Sequence, residues 1–123
     1  MGCLVNKTKR ILDAYNANPT SIYAAIESFI KLPGSKVIIL GEMLELGKFS
    51  KTEHQKIINN LEKLKIKSFF VGNEFFNLKK QSPNLFFFKT KEDLLEEYPI
   101  EKIKSKNILI KGSRFLEMEK ILE

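Results

Sequence analysis

An α/β fold, with a mostly parallel sheet and crossover helices on both faces, is predicted by the order of signals along the chain. Short apolar runs near residues 7–12, 36–41, 68–72, 85–88 and 107–111 alternate with helical patterns, the arrangement of strand–helix–strand units. Three of the runs end in glycine, at Gly41, Gly72 and Gly112, where the backbone can turn sharply or approach a ligand. These loops are expected to share the carboxyl edge of the sheet. The chain has 123 residues, 43% of them hydrophobic, which suffices for one domain with one core.

Each element has its own local reason. Residues 1–8 are expected to be a linker or added residues leading into the first strand, and 9–123 to form the domain. After Lys9-Arg10-Ile11-Leu12, the heptad Asp13-Ala14-Tyr15-Asn16-Ala17-Asn18-Pro19 places polar and turn residues between a strand and a helix. That helix, 19–31, repeats Ile22, Ala25, Ile26, Phe29 and Ile30 on one face and stops before Pro33-Gly34. Asn18 fits an N-cap and Pro19 the first helical turn. Ser50-Lys51-Thr52-Glu53 reads as a capping box opening a helix that buries Ile57, Ile58, Leu61 and Leu64. A weaker helix is expected from Glu74 to Lys79. Thr90 to Asp93 reads as another capped start, of a helix running through Glu97 and ended by Pro99. The last helix, 114–122, presents Phe115, Met118 and Ile121 or Leu122 inward.

A formal charge of +6 raises the question of nucleic acid. The lysines at 63, 65, 67, 79, 80, 102, 104 and 106 are scattered among glutamates over several elements, and Phe86-Phe87-Phe88 does not alternate with basic residues as a base-stacking surface requires. A solvated, lysine-rich surface is the better reading, and no nucleic-acid partner is expected. Cys3 is the single cysteine; it excludes a disulfide framework, suits a reducing compartment, and lacks the partner a nucleophile needs. No apolar run reaches the ~18 residues that span a bilayer, and no signal-peptide segment opens the chain. A soluble, cytoplasmic protein is expected.

Chemistry concentrates in three stretches: the heptad from Asp13, Gly41-Glu42-Met43-Leu44-Glu45-Leu46-Gly47 with His54 beyond it, and Lys111-Gly112-Ser113-Arg114. In an open α/β sheet, loops leaving the carboxyl ends of strands are where ligands bind. Lys111, Gly112, Ser113 and Arg114 combine a glycine turn, a hydroxyl and two cations at a helix N-terminus, which suits a carboxylate; alternatively, Ser113 caps the last helix and the cations are solvated. Asn18 is divided in the same way between helix cap and ligand contact. Glu42 and Glu45 invite a metal reading, but no additional ligands lie near them in sequence. His54 falls on the face of Ile57, Ile58 and Leu61, either as a buried structural residue or as a hydrogen-bonding support for the Gly41–Gly47 loop. No phosphate-cradling Gly-x-x-x-x-Gly-Lys-[Ser/Thr] loop is present.

In this order and spacing, the three stretches resemble the C-terminal domain of the Mur ligases over roughly residues 9 to 122. The resemblance implies a Rossmann-like fold, and an enzyme that forms an acyl-phosphate from ATP and a substrate carboxylate before an incoming amine attacks it. Tyr15-Asn16 stands where the tripeptide-forming and folate-adding members carry a His-containing variant. It points to the member that adds D-alanyl-D-alanine to UDP-N-acetylmuramoyl-tripeptide in peptidoglycan precursor synthesis. On this resemblance Asp13 would accept hydrogen bonds from the ribose hydroxyls, with Tyr15, Asn16 and Asn18 toward the nucleotide. Lys111, Gly112, Ser113 and Arg114 would take the dipeptide, with Glu42 and His54 as further substrate-side residues. Glu42 departs from the family's more usual Asp, reaching about one methylene further. The phosphate loop and magnesium carboxylates belong to the family's central domain, and the UDP moiety to its N-terminal domain. ATP and magnesium are therefore expected to serve the full-length enzyme, with no metal held and no catalysis performed by this domain alone. The rival expectations are a free-standing nucleotide-binding module and, further off, a basic nucleic-acid-binding domain.

Overall fold

The computed structural model describes residues 2–5, 10–14, 19–43, 46–99 and 107–111. Six strands form one sheet: β1 (Gly2–Val5), β2 (Arg10–Ala14), β3 (Lys36–Gly41), β4 (Lys67–Val71), β5 (Leu85–Phe88) and β6 (Asn107–Lys111), in spatial order β1-β2-β6-β3-β4-β5. All neighbours are parallel except β1, which runs antiparallel along β2 with Gly2 opposite Asp13 and Val5 opposite Arg10. Residues expected to be linker thus include an edge strand. Four residues are too short to show a period, and what orders them is the free edge of β2. Among the described residues that strand spans Arg10–Ala14 and so carries Asp13 within it.

The helices are α1 (Pro19–Phe29), α2 (Ser50–Leu64), α3 (Asn73–Phe76) and α4 (Lys91–Glu97). Strict alternation along the strands assigns them to faces. Ile38, Leu40, Phe70, Leu85 and Leu109 pack with Ile22, Ile26 and Phe29 of α1, Ile57, Ile58 and Leu61 of α2, and Phe75 of α3. Val37, Ile39, Phe69, Val71, Phe88, Ile108 and Ile110 pack with Leu94 of α4 on the other face. The chain order explains this division. From β2 to β5 the strands advance in one direction, so right-handed crossovers place their helices on one face. The return to β6, between β2 and β3, reverses direction and puts α4 opposite.

Local chemistry departs from expectation at one helix start and one helix end. A 3₁₀ turn over Gly47–Phe49 runs straight into α2, so Ser50 is already helical and no side chain caps the junction. The capping box does not form, and the Ser50 hydroxyl faces His54 instead. α3 is shorter than the expected Glu74–Lys79 helix. The Thr90 cap does form, its hydroxyl accepting from the Asp93 amide at 3.1 Å. The expected helix 114–122 lies outside the described residues.

Candidate functional site

Strands β2, β6 and β3 end side by side on one edge of the sheet, where the three motifs begin. Ala14 and Leu40 both stand in register with Lys111, and Asp13 stands beside Ile110, which is paired in turn with Ile39. Adjacent strands lie about 4.8 Å apart, so the carboxyl ends of these three fall within about 10 Å. The backbone of Asp13 is therefore beside that of the Lys111 strand. Tyr15, Asn16, Asn18, Gly112, Ser113 and Arg114 lie outside the described residues.

Lys111 is the charged residue that the strand itself buries. Its side chain retains 7% exposure, and none of the ion pairs among the described residues involves it. Burial penalises its ammonium and holds its pKa below the ordinary lysine value. A desolvated cation at a strand end can be satisfied by an anion, and an anionic ligand is one group that would supply a counter-charge.

Glu42 is committed elsewhere. Its backbone N–H donates to the Val71 carbonyl at 2.9 Å, and its carboxylate accepts from the Glu74 amide at 2.9 Å, satisfying one of the donors that open α3. The contact requires Gly72, whose φ is +117° and at which a Cβ would come within 2.5 Å of Glu42 Oε1. The extra methylene of Glu lets the carboxylate reach across to α3. Gly41, expected to shape the loop, has no positive φ; Gly47 does, at 56°.

His54 is fully enclosed and does not touch solvent, which removes it from direct substrate contact. Its ring nitrogens are both engaged. Nε2 accepts the Met43 amide at 2.9 Å, while Nδ1 lies 2.7 Å from the Ser50 carbonyl and 3.2 Å from the Ser50 hydroxyl. A backbone N–H can only donate, so Nε2 is unprotonated and Nδ1 carries the proton given to Ser50 O. Phe75 closes the pocket edge-on, with ring centroids 4.6 Å apart. Both sequence readings of His54 thus hold together: it is a core residue, and it supports the loop after β3. The Met43 amide and the Glu74 amide went unforeseen, since backbone partners leave no mark in a sequence.

A groove of ≈ 790 Å³ lies elsewhere, along β5 at the outer edge of the sheet between Lys79, Lys80, Pro83 and Phe87. It has no buried charge or paired carboxylates, and its size alone assigns it no chemistry. Among the described residues no group of three His, Cys, Asp or Glu side chains could hold a metal ion.

Comparison with known proteins agrees with this fold. The family model described as Mur ligase, glutamate ligase domain, matches residues 3–114. The UDP-N-acetylmuramoyl-tripeptide–D-alanyl-D-alanine ligase of Buchnera aphidicola subsp. Acyrthosiphon pisum is 37% identical over 114 residues, covering 90% of this chain and 25% of the relative. That of Bacillus subtilis is 32% identical, covering 92% of this chain and 27% of the relative. Among solved structures, MurF from Acinetobacter baumannii superposes with a TM-score of 0.82 at 27% identity, over 98% of this chain and 28% of that one. MurF ligase from Thermotoga maritima in complex with ADP gives 0.79 at 26%, over 98% and 28%. The chain thus spans about a quarter of the length of the relatives it matches. With the match running from β1 past the end of β6, this chain belongs to the Mur ligase family through its glutamate ligase domain.

Proposed function

We propose that this chain is the C-terminal domain of an ATP-dependent ligase that adds D-alanyl-D-alanine to UDP-N-acetylmuramoyl-tripeptide, and that it brings the dipeptide and closes over the nucleotide. The observation that carries this reading is Lys111, a buried cation at the carboxyl end of β6 between the ends of β2 and β3. In the reaction, the tripeptide carboxylate takes the γ-phosphoryl group of ATP, releasing ADP. The dipeptide amine then attacks the acyl carbon, an amide bond forms, and inorganic phosphate leaves. The domain's part is positional: Lys111, Gly112, Ser113 and Arg114 hold the dipeptide carboxylate, while Asp13, with Tyr15, Asn16 and Asn18, meets the ribose side of the nucleotide. Juxtaposing amine and acyl-phosphate in this way supplies much of the rate. Magnesium accompanies ATP on the rest of the ligase. No described helix is long and apolar enough to cross a membrane, and action in the cytoplasm is part of the same proposal.

The test is steady-state kinetics of the complete ligase carrying this domain, with dipeptide and ATP varied separately. Arg114→Ala should lower kcat/KM for the dipeptide by roughly tenfold to a hundredfold, the worth of a charge-assisted hydrogen bond, and spare ATP. Asp13→Asn should raise the ATP requirement instead. Equal losses toward both substrates from Arg114→Ala would indicate impaired closure rather than dipeptide binding. A wild-type preference for a single amino acid over D-alanyl-D-alanine would overturn the choice of substrate.

A further inference from the structure

The loop that follows β3 is pinned at successive residues. Glu42 is tied through its backbone to β4 and through its carboxylate to α3. Met43 is buried, and its amide is taken by His54 from α2. The same loop leaves the strand beside Lys111, since Leu40 and Lys111 are register partners. Met43 follows that register position by three residues.

We infer that His54 is a positioning residue for the second substrate: its neutral Nδ1–H tautomer locks the Met43 amide and thereby sets the segment leaving β3, Glu42 and Met43, as one wall of the dipeptide site. This rests on the proposed function for the identity of the ligand. The physical argument is one of donor accounting. Met43 N–H is in the interior, where an unpaired donor is costly, and Nε2 of His54 is the acceptor that the fold supplies. Nδ1 is kept protonated by the Ser50 carbonyl at 2.7 Å, so the acceptor lone pair stays aimed at the loop. Without an acceptor at that point, the amide must seek water, and the loop must move to reach it. Phe75 against the imidazole restricts the ring from swinging away.

A pair of substitutions in the complete ligase separates positioning from bulk stability. His54→Leu fills the space without an acceptor; His54→Gln offers an amide oxygen near the place of Nε2. His54→Leu should raise the dipeptide KM about tenfold or more, with ATP KM little changed, and His54→Gln should restore most of that loss. If the two variants lose stability but share the wild-type dipeptide KM, or if Gln fails to rescue a folded protein, the inference is overturned. Should His54→Leu not fold, the wild-type protein still decides the matter. Nitrogen-15 spectra must show the Nδ1–H tautomer of His54, and adding D-alanyl-D-alanine must shift the Met43 amide. A Nε2–H tautomer, or an unmoved Met43 amide in protein that turns over the dipeptide, would sink it. A wild-type enzyme that ignores the dipeptide while His54 shows the expected tautomer would instead fail the proposed substrate, leaving the lock itself intact.

Discussion

Strands β4 and β5 meet their surroundings through stacked rings, whereas β3 and β6 meet theirs largely through branched aliphatics and then through polar groups at the strand ends. Phe69 lies against Phe86, Phe88 and Tyr98 at centroid distances of 5.1, 6.3 and 5.0 Å, and on the opposite face Phe70 stacks on Phe87 at 4.9 Å. Lys67 sits over three of these rings, closing the amino end of the stack with its ammonium. In the other half, Ile108, Leu109 and Ile110 fill β6 before Lys111 interrupts the apolar pattern. The aromatic half has the groove; the aliphatic half has the buried cation, the enclosed imidazole and the carboxylate that caps α3. A concavity is thus a poorer guide to chemistry here than the polar groups the fold has gone to some cost to bury.

The comparison breaks most directly at Phe69. Phe69→Ala removes a fully buried ring from the centre of the α4-side aromatic cluster and should cost about 3–5 kcal/mol, measured by denaturant unfolding. If the aromatic half is scaffold, whatever folded protein remains will keep its wild-type dipeptide and ATP KM values in the complete ligase. A selective KM change in stably folded protein would move function toward β5.

Much of this division was legible in the sequence, for reasons that differ by element. The α2 face of Ile57, Ile58 and Leu61 and the Thr90 cap depend on neighbours within a few residues, and a linear reading captures them, but Leu64, expected to be buried with that face, is 38% exposed at the end of the helix. The common edge at which β2, β6 and β3 end followed from strand–helix alternation, because parallel strands put their carboxyl ends on one edge. What the sequence hid was non-local. The Ser50 capping box had the right letters, yet a 3₁₀ turn extended the helix backward and freed Ser50 to meet His54. The internal partner of Glu42, the Glu74 amide, is 32 positions away and is made reachable only by Gly72. Edge strand β1 has no period of its own and exists through its pairing with β2.

A substitution of intermediate effect sharpens the contrast at the border between the halves. Gly72 combines a φ of +117° with contact against Glu42, so Gly72→Ala should destabilise by about 1–3 kcal/mol through backbone strain, with a further steric contribution. Pairing it with Glu42→Ala should relieve the collision but not the strain. A double-mutant cycle followed by thermal unfolding should therefore show a double mutant more stable than the sum of its parts. Strict additivity would mean that Glu42 and Gly72 do not share the contact.

The smallest expected change in stability has the opposite sign. Burial lowers the pKa of Lys111 below its ordinary 10.5, so the folded chain holds that proton less tightly than the unfolded chain does. Between the lowered value and 10.5 the unfolded state binds more protons, and folding stability rises with pH across that window. Below it, the buried ammonium imposes a constant cost on the native state. Lys111→Met keeps the length and apolar stem while removing the charge, and should raise the melting temperature at neutral pH. The gain should narrow as pH rises through the window and the wild-type lysine sheds its proton. Melting curves of both proteins from neutral pH to 10.5 check the sign, and a gain that stays flat would mean that the ammonium is already compensated in the fold. In the complete ligase the same substitution should weaken dipeptide use, because the charge that burdens the domain is the one proposed to meet the substrate carboxylate. Stability gained and dipeptide affinity lost at one position would distinguish a site residue from the rings of the other half, where stability is lost and affinity kept.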